Sequence, residues 1–149
     1  MSKYIFSFGD KKNKTILNSK EILGGKGANL AEMARLGLPV PPGFTISTQM
    51  CKIFYESKKK LSAKIYNEIK KELKKIELKT KKRFGDNTNP LLVSVRSGSR
   101  ASMPGMMDTI LNLGLNDKTT EALSKKTSNK RFARDSYRRF IQMYGNVVL

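Results

Sequence analysis

A chain of 149 residues, 38% of them hydrophobic, is the size of one domain or two small lobes and can bury a core without disulfide or metal staples. Its 30 lysines and arginines against 12 acids give a formal net charge of +18, and a single cysteine excludes an internal disulfide. No apolar run reaches membrane-spanning length and Met1 to Phe8 is too short and too polar-interrupted for a secretory signal, so a soluble cytoplasmic protein is expected.

In chain order, Tyr4 to Phe8 is aromatic-rich and partly alternating, which predicts a short strand ending at Gly9-Asp10. After a lysine- and asparagine-rich loop, Gly24-Gly25-Lys26-Gly27 opens a helix from about Ala28 to Leu36, with Gly37 placed as its C-terminal cap. Pro39, Pro41 and Pro42 keep the next stretch extended, and Phe44 to Ser47 reads as a strand. Thr48 is positioned to cap a helix carrying Cys51, Ile53, Phe54 and Tyr55, with Cys51 expected to be a small buried hydrophobe. Within the lysine-crowded segment Lys58 to Arg83, the apolar stripe Leu61, Ile65, Ile69, Leu73 and Ile76 predicts a long helix with its lysines in solvent.

Leu91 to Arg96 is the clearest strand pattern, followed by a small-residue loop from Ser97 to Gly105. Thr109 to Leu113 reads as a further strand and Asp117 to about Lys126 as a helix. A last helix from about Lys130 aligns Phe132, Ser136, Phe140 and Tyr144, with Tyr137, Ile141 and Val148 beside them. Strands and helices intermingle, so the class is α/β or α+β. The final Val147-Val148-Leu149 has no polar tail, an ending expected of a chain cut within an element.

Two loops have the composition for anion chemistry. Glycines at a helix start let the backbone approach an anion, the helix dipole favours negative charge there, and Lys26 adds a positive one. The spacing is not that of a Walker A loop, and an ordinary glycine turn with a solvent lysine is the competing reading. At the second loop, a buried strand would fix Arg96 so that its planar fork meets phosphate oxygens beneath a flexible flap. A structural pairing of Arg96 with Asp108 is the competing reading there.

Three runs then carry a family resemblance: ILGGKGANLAEMARLGLPVPPGFTIST (Ile22 to Thr48), LLVSVRSGSRASMPGMMDTILNLGLN (Leu91 to Asn116) and RFARDSYRRFIQMYG (Arg131 to Gly145). Together they closely resemble the N-terminal ATP-binding region of the pyruvate phosphate dikinase family. Phosphoenolpyruvate synthases and glucan-water dikinases share the general GKG and VRS pattern but not the middle run. The resemblance implies the N-terminal lobe of an ATP-grasp fold over about residues 1–116 and a helical segment over 117–149, truncated relative to the family. It implies ATP contacts from Lys26, phosphate contacts from Arg96, closure by the glycine-containing flap at Gly105, and a lesser part for Arg100 in the same loop.

The family converts ATP, phosphate and pyruvate to AMP, pyrophosphate and phosphoenolpyruvate through a phosphohistidine. This sequence contains no histidine. By resemblance, the magnesium-binding carboxylates and the pyruvate domain also lie outside it, so ATP with magnesium is the family expectation and the metal ligands are not expected in this chain. The reading is an ATP-binding fragment, not competent alone, that a companion polypeptide would complete. The alternatives are a non-catalytic interaction module or a lysine-rich nucleic-acid binder. The last is disfavoured because the lysines fall on the solvent face of an amphipathic helix.

Overall fold

A computed structural model describes residues 4–9, 19–97 and 109–149, which fall into two compact units. The first unit contains residues 4–9 and 19–79, the second residues 80–97 and 109–149. The class is mixed α/β, with five helices and two small antiparallel sheets among the described residues.

In the first unit, β1 (Ile5–Phe8) pairs antiparallel with β2 (Gly43–Ile46), placing Ile5 opposite Ile46 and Phe8 opposite Gly43. The Phe8 ring occupies the space that a Cβ at Gly43 would need, so the aromatic side chain covers the strand's glycine. Strand β1 ends at Gly9, where φ is +94° and an added Cβ would lie 2.8 Å from the Pro42 Cα. Only glycine fits there.

Helix α1 (Ser19–Arg35) ends in a Schellman motif around Gly37, whose φ is +82°. The Gly37 amide donates to the Ala34 carbonyl and the Leu38 amide to the Met33 carbonyl, both at 3.1 Å. The cap therefore falls where the sequence places it. The start of the helix does not. Instead of a loop leading to a helix at Ala28, α1 already runs from Ser19, breaks at Gly24 and resumes. Leu23, only 2% exposed, explains the early start, because burying it gives the first segment a core anchor.

Helix α2 (Thr48–Glu56) buries Met50 and leaves Cys51 exposed, which corrects the expected buried cysteine. One residue is about 100° around a helix, so the neighbour of the inward-facing Met50 turns to solvent. The lysine-rich helix is also shorter than its pattern. Lys58 and Lys59 adopt left-handed φ values of 53° and 59°, Leu61 is exposed, and α3 spans Ala63–Thr80. Ile65 and Ile76 are buried, so the stripe holds from its second member onward. The Ser7 hydroxyl of β1 donates to Glu72 of α3 at 2.5 Å, and Lys75 pairs with the same carboxylate. Partial burial pushes the Glu72 pKa up, but these hydrogen bonds outweigh it and hold the group below its ordinary range.

In the second unit, β3 (Val93–Arg96) pairs antiparallel with β4 (Thr109–Leu113). Val93 faces Leu113, whereas Val95 faces Ile110, so β4 carries one extra residue across a bulge. Asn112, at φ 58°, provides the left-handed step within it. Helix α4 (Asp117–Thr127) starts with a reciprocal capping box between Asn116 and Thr119, and α5 (Lys130–Val148) starts with the Asn129 side chain accepting from the Phe132 amide. Helix α5 packs on both α4 and β4 through a face centred on Ala133 and Ser136. The predicted stripe is rotated accordingly: Phe132 and Ile141 are about half exposed, and the small residues approach the neighbouring elements. Small side chains permit that close approach, which periodicity of large residues does not reveal.

Before β3, the Asp86 carboxylate accepts from the Thr88 amide at 2.7 Å, the Thr88 hydroxyl at 2.6 Å and the Asn89 amide at 3.0 Å. Those bonds, led by the Thr88 hydroxyl, lower its pKa from 3.8 to about 2. A depressed carboxylate pKa contributes stability that is complete above the unfolded value of 3.8 and is lost as pH falls toward about 2. Asp86→Asn should therefore flatten the fall in urea midpoint between about pH 5 and about pH 2. Identical acid sensitivity in the variant and the wild type would refute this assignment.

Candidate functional site

The break in α1 is the feature that turns a glycine-rich sequence into a site. Gly24 has φ 72° and ψ 168°, outside the helical region and open only to glycine. Helical geometry resumes at once, so Gly25, Lys26 and Gly27 form the first turn of a new helical segment. The opening amides of a helix point along its axis without intrahelical acceptors, and the dipole favours an anion there. Lys26 is half-buried and has no carboxylate partner among the described residues.

Gly27 has a packing role as well. A Cβ there would lie 2.9 Å from Thr45 Cγ2, 3.1 Å from Thr45 Oγ1 and 3.1 Å from Leu23 Cβ. The missing side chain lets α1 approach β2. Lys26 is thus carried between a residue that must be glycine for conformation and one that must be glycine for space.

Upstream of the break, the Glu21 carbonyl accepts a hydrogen bond from the Thr48 hydroxyl at 2.6 Å. Thr48 begins α2, but Ser47 is the N-cap residue and makes no side-chain cap. Ser47 is fully buried, with its amide donating to the Tyr4 carbonyl at 2.8 Å. The sequence reading assigned Thr48 to capping and missed its bond across to α1. Its only signal was a hydroxyl at a strand-to-helix junction.

Arg96 ends β3 opposite Thr109 and is exposed, without a carboxylate partner among the described residues. The expectation that a buried strand holds it is corrected, because Val95 is 46% exposed and burial is concentrated at Leu91, 4% exposed. In a two-stranded ribbon one face of each strand stays open, so an apolar run need not be sandwiched. Arg100, Gly105 and Asp108 lie outside the described residues. Lys26 belongs to the first unit and Arg96 to the second.

Among the described residues no group of three His, Cys, Asp or Glu side chains is arranged to hold a metal ion. No helix among them is long and apolar enough to cross a membrane. Lys26, Arg96 and the opening amides after Gly24 are groups suited to binding anionic oxygen.

Comparison with known proteins shows the family to which the chain belongs. The family model of the pyruvate phosphate dikinase AMP/ATP-binding domain matches residues 20–71 and 58–144. The chain is 54% identical over 149 residues to pyruvate, phosphate dikinase of Clostridium symbiosum, covering 100% of this chain and 17% of that protein. It is 55% identical over 146 residues to the Entamoeba histolytica protein of the same name, covering 98% and 16%. The chloroplastic pyruvate, phosphate dikinase of Mesembryanthemum crystallinum is 54% identical over 147 residues, covering 99% and 15%. The chain thus spans less than a fifth of the length of these relatives.

Proposed function

Because the chain belongs to the pyruvate phosphate dikinase AMP/ATP-binding domain family, we propose that it binds the phosphates of ATP through Lys26 and Arg96, with the flap at Gly105 closing over them and a lesser part for Arg100 in the same loop. The observation that carries this reading is the Gly24 break, which sets Lys26 in the first turn of a helical segment. An anion there meets a lysine and the positive end of a helix dipole together. Arg96, exposed at a strand end, supplies a planar bidentate donor for a second group of phosphate oxygens.

In this reading residues 1–116 form the first lobe of an ATP-grasp fold and 117–149 the helical segment that follows it. Magnesium accompanies the nucleotide, its carboxylate ligands supplied by a companion polypeptide. The family resemblance implies a phosphohistidine in the complete reaction, and with no histidine among these 149 residues the chain is assigned phosphate binding without the full phosphoryl relay. The setting proposed is cytoplasmic.

Calorimetric titration with magnesium-ATP and with AMP tests the assignment. Lys26→Ala and Arg96→Ala should each weaken ATP about tenfold, the scale of one charge-assisted hydrogen bond. AMP should be affected less, because it lacks the β- and γ-phosphates. Unchanged affinity in both variants, or no wild-type binding at millimolar nucleotide, would overturn the proposal.

A further inference from the structure

In an uninterrupted α-helix the carbonyl of Glu21 would accept the amide of Gly25, four residues on. Here that carbonyl takes the Thr48 hydroxyl at 2.6 Å, and Gly24 between the two has left helical geometry. A helix that bends around one glycine has a competing state in which the glycine turns helical and the ladder closes. Closure would draw the Gly25 amide back to Glu21 and remove the first turn that begins there. The Thr48 hydroxyl bond ties the Glu21 carbonyl to the start of α2, so the segment before the break cannot swing into line with the one after it without losing that bond.

We propose that Thr48 is a positioning residue that holds the Gly24 break open, so that the amides of Gly25 to Gly27 and the Lys26 side chain stay presented to nucleotide phosphate. This rests on the phosphate-binding reading of that turn.

Thr48 is well placed for the task. It follows β2 directly, and the Ser47 amide bond to Tyr4 fixes the chain immediately before it. Thr45, three residues earlier, fills the space beside Gly27 on the other side of the break. Two threonines of one strand-to-helix junction therefore hold the segments before and after Gly24. Thr45 acts by shape and Thr48 by a hydrogen bond, and only the second should respond to loss of a hydroxyl alone.

The test compares Thr48→Val, which keeps the shape and removes the donor, with Thr48→Ser, which keeps the donor and removes the methyl. Magnesium-ATP titration should show about fivefold weaker binding for the valine variant and wild-type binding for serine. NMR of the nucleotide-free protein should show the Gly24 Cα shift of the valine variant moving toward helical values, with slower exchange at the Gly25 amide. Thr48→Ala serves as a second hydroxyl-free variant if the valine protein does not fold.

Wild-type affinity in the hydroxyl-free variants would overturn the inference, as would equal losses in the serine and valine variants. If Lys26→Ala weakens binding while Thr48→Val does not, this inference fails and the phosphate site stands. If the wild type binds no nucleotide, both fall.

Discussion

Gly114→Ala is expected to destabilise the second unit by about 3 kcal/mol, a sum of backbone strain and a steric clash. Gly114 joins β4 to α4 with φ at +116°, a conformation that L side chains rarely adopt. An alanine Cβ would also lie 2.8 Å from the Leu91 carbonyl oxygen and 3.2 Å from Phe84 Cε2. The carbonyl has little freedom to retreat, since the amide of Leu91 donates to Arg83 at 2.8 Å and its side chain is buried. On the other side, the Gly114 carbonyl accepts from the Thr119 hydroxyl at 2.9 Å, so shifting it would disturb the α4 capping box. Urea unfolding followed by circular dichroism gives the magnitude, and hydrogen exchange locates it. A loss below about 1 kcal/mol would show that the turn accommodates a side chain.

Leu23→Ala is expected to cost the first unit about 3 kcal/mol, within the range for truncating a buried leucine. Leu23 is 2% exposed and lies just before the Gly24 break, its Cβ close to the space left by Gly27. Truncation removes apolar burial and leaves a cavity beside the break. The loss should therefore appear as faster hydrogen exchange across α1 as well as a lower urea midpoint. Leu36→Ala is the control: at 64% exposed, it should change stability by less than about 0.5 kcal/mol. Equal losses in the two variants would mean that Leu23 does not anchor the helix.

Gly37 and Gly24 differ in how far the sequence reveals their roles. Gly37, with apolar periodicity before it and proline after it, announces a helix end in the sequence, and the Schellman bonds occur there. Strand β4 and the starts of α4 and α5 were similarly legible from alternation and helical spacing. Gly24 was not, because consecutive glycines suggest a loop as readily as a helix that breaks and resumes. Nor was the whole buried face of α5: Ser136 lies on the predicted stripe and is buried, but Ala133, outside that stripe, faces inward while Phe132 remains half exposed. Large residues dominate a periodicity, whereas close packing between helices often selects small ones.

The sequence by itself determined the mixed α/β class, most element positions and the family of this chain, since caps, turns and hydrophobic periods act over a few residues. It also singled out Lys26 and Arg96 by residue type and neighbours. Only the tertiary structure decided that α1 breaks at Gly24, that Cys51 faces solvent, and that Thr48 bonds to Glu21. The last contact joins residues 27 positions apart, and the Ser7–Glu72 bond joins residues 65 apart. Such pairs form because separate elements bury their apolar faces together, a collective result that no local pattern contains.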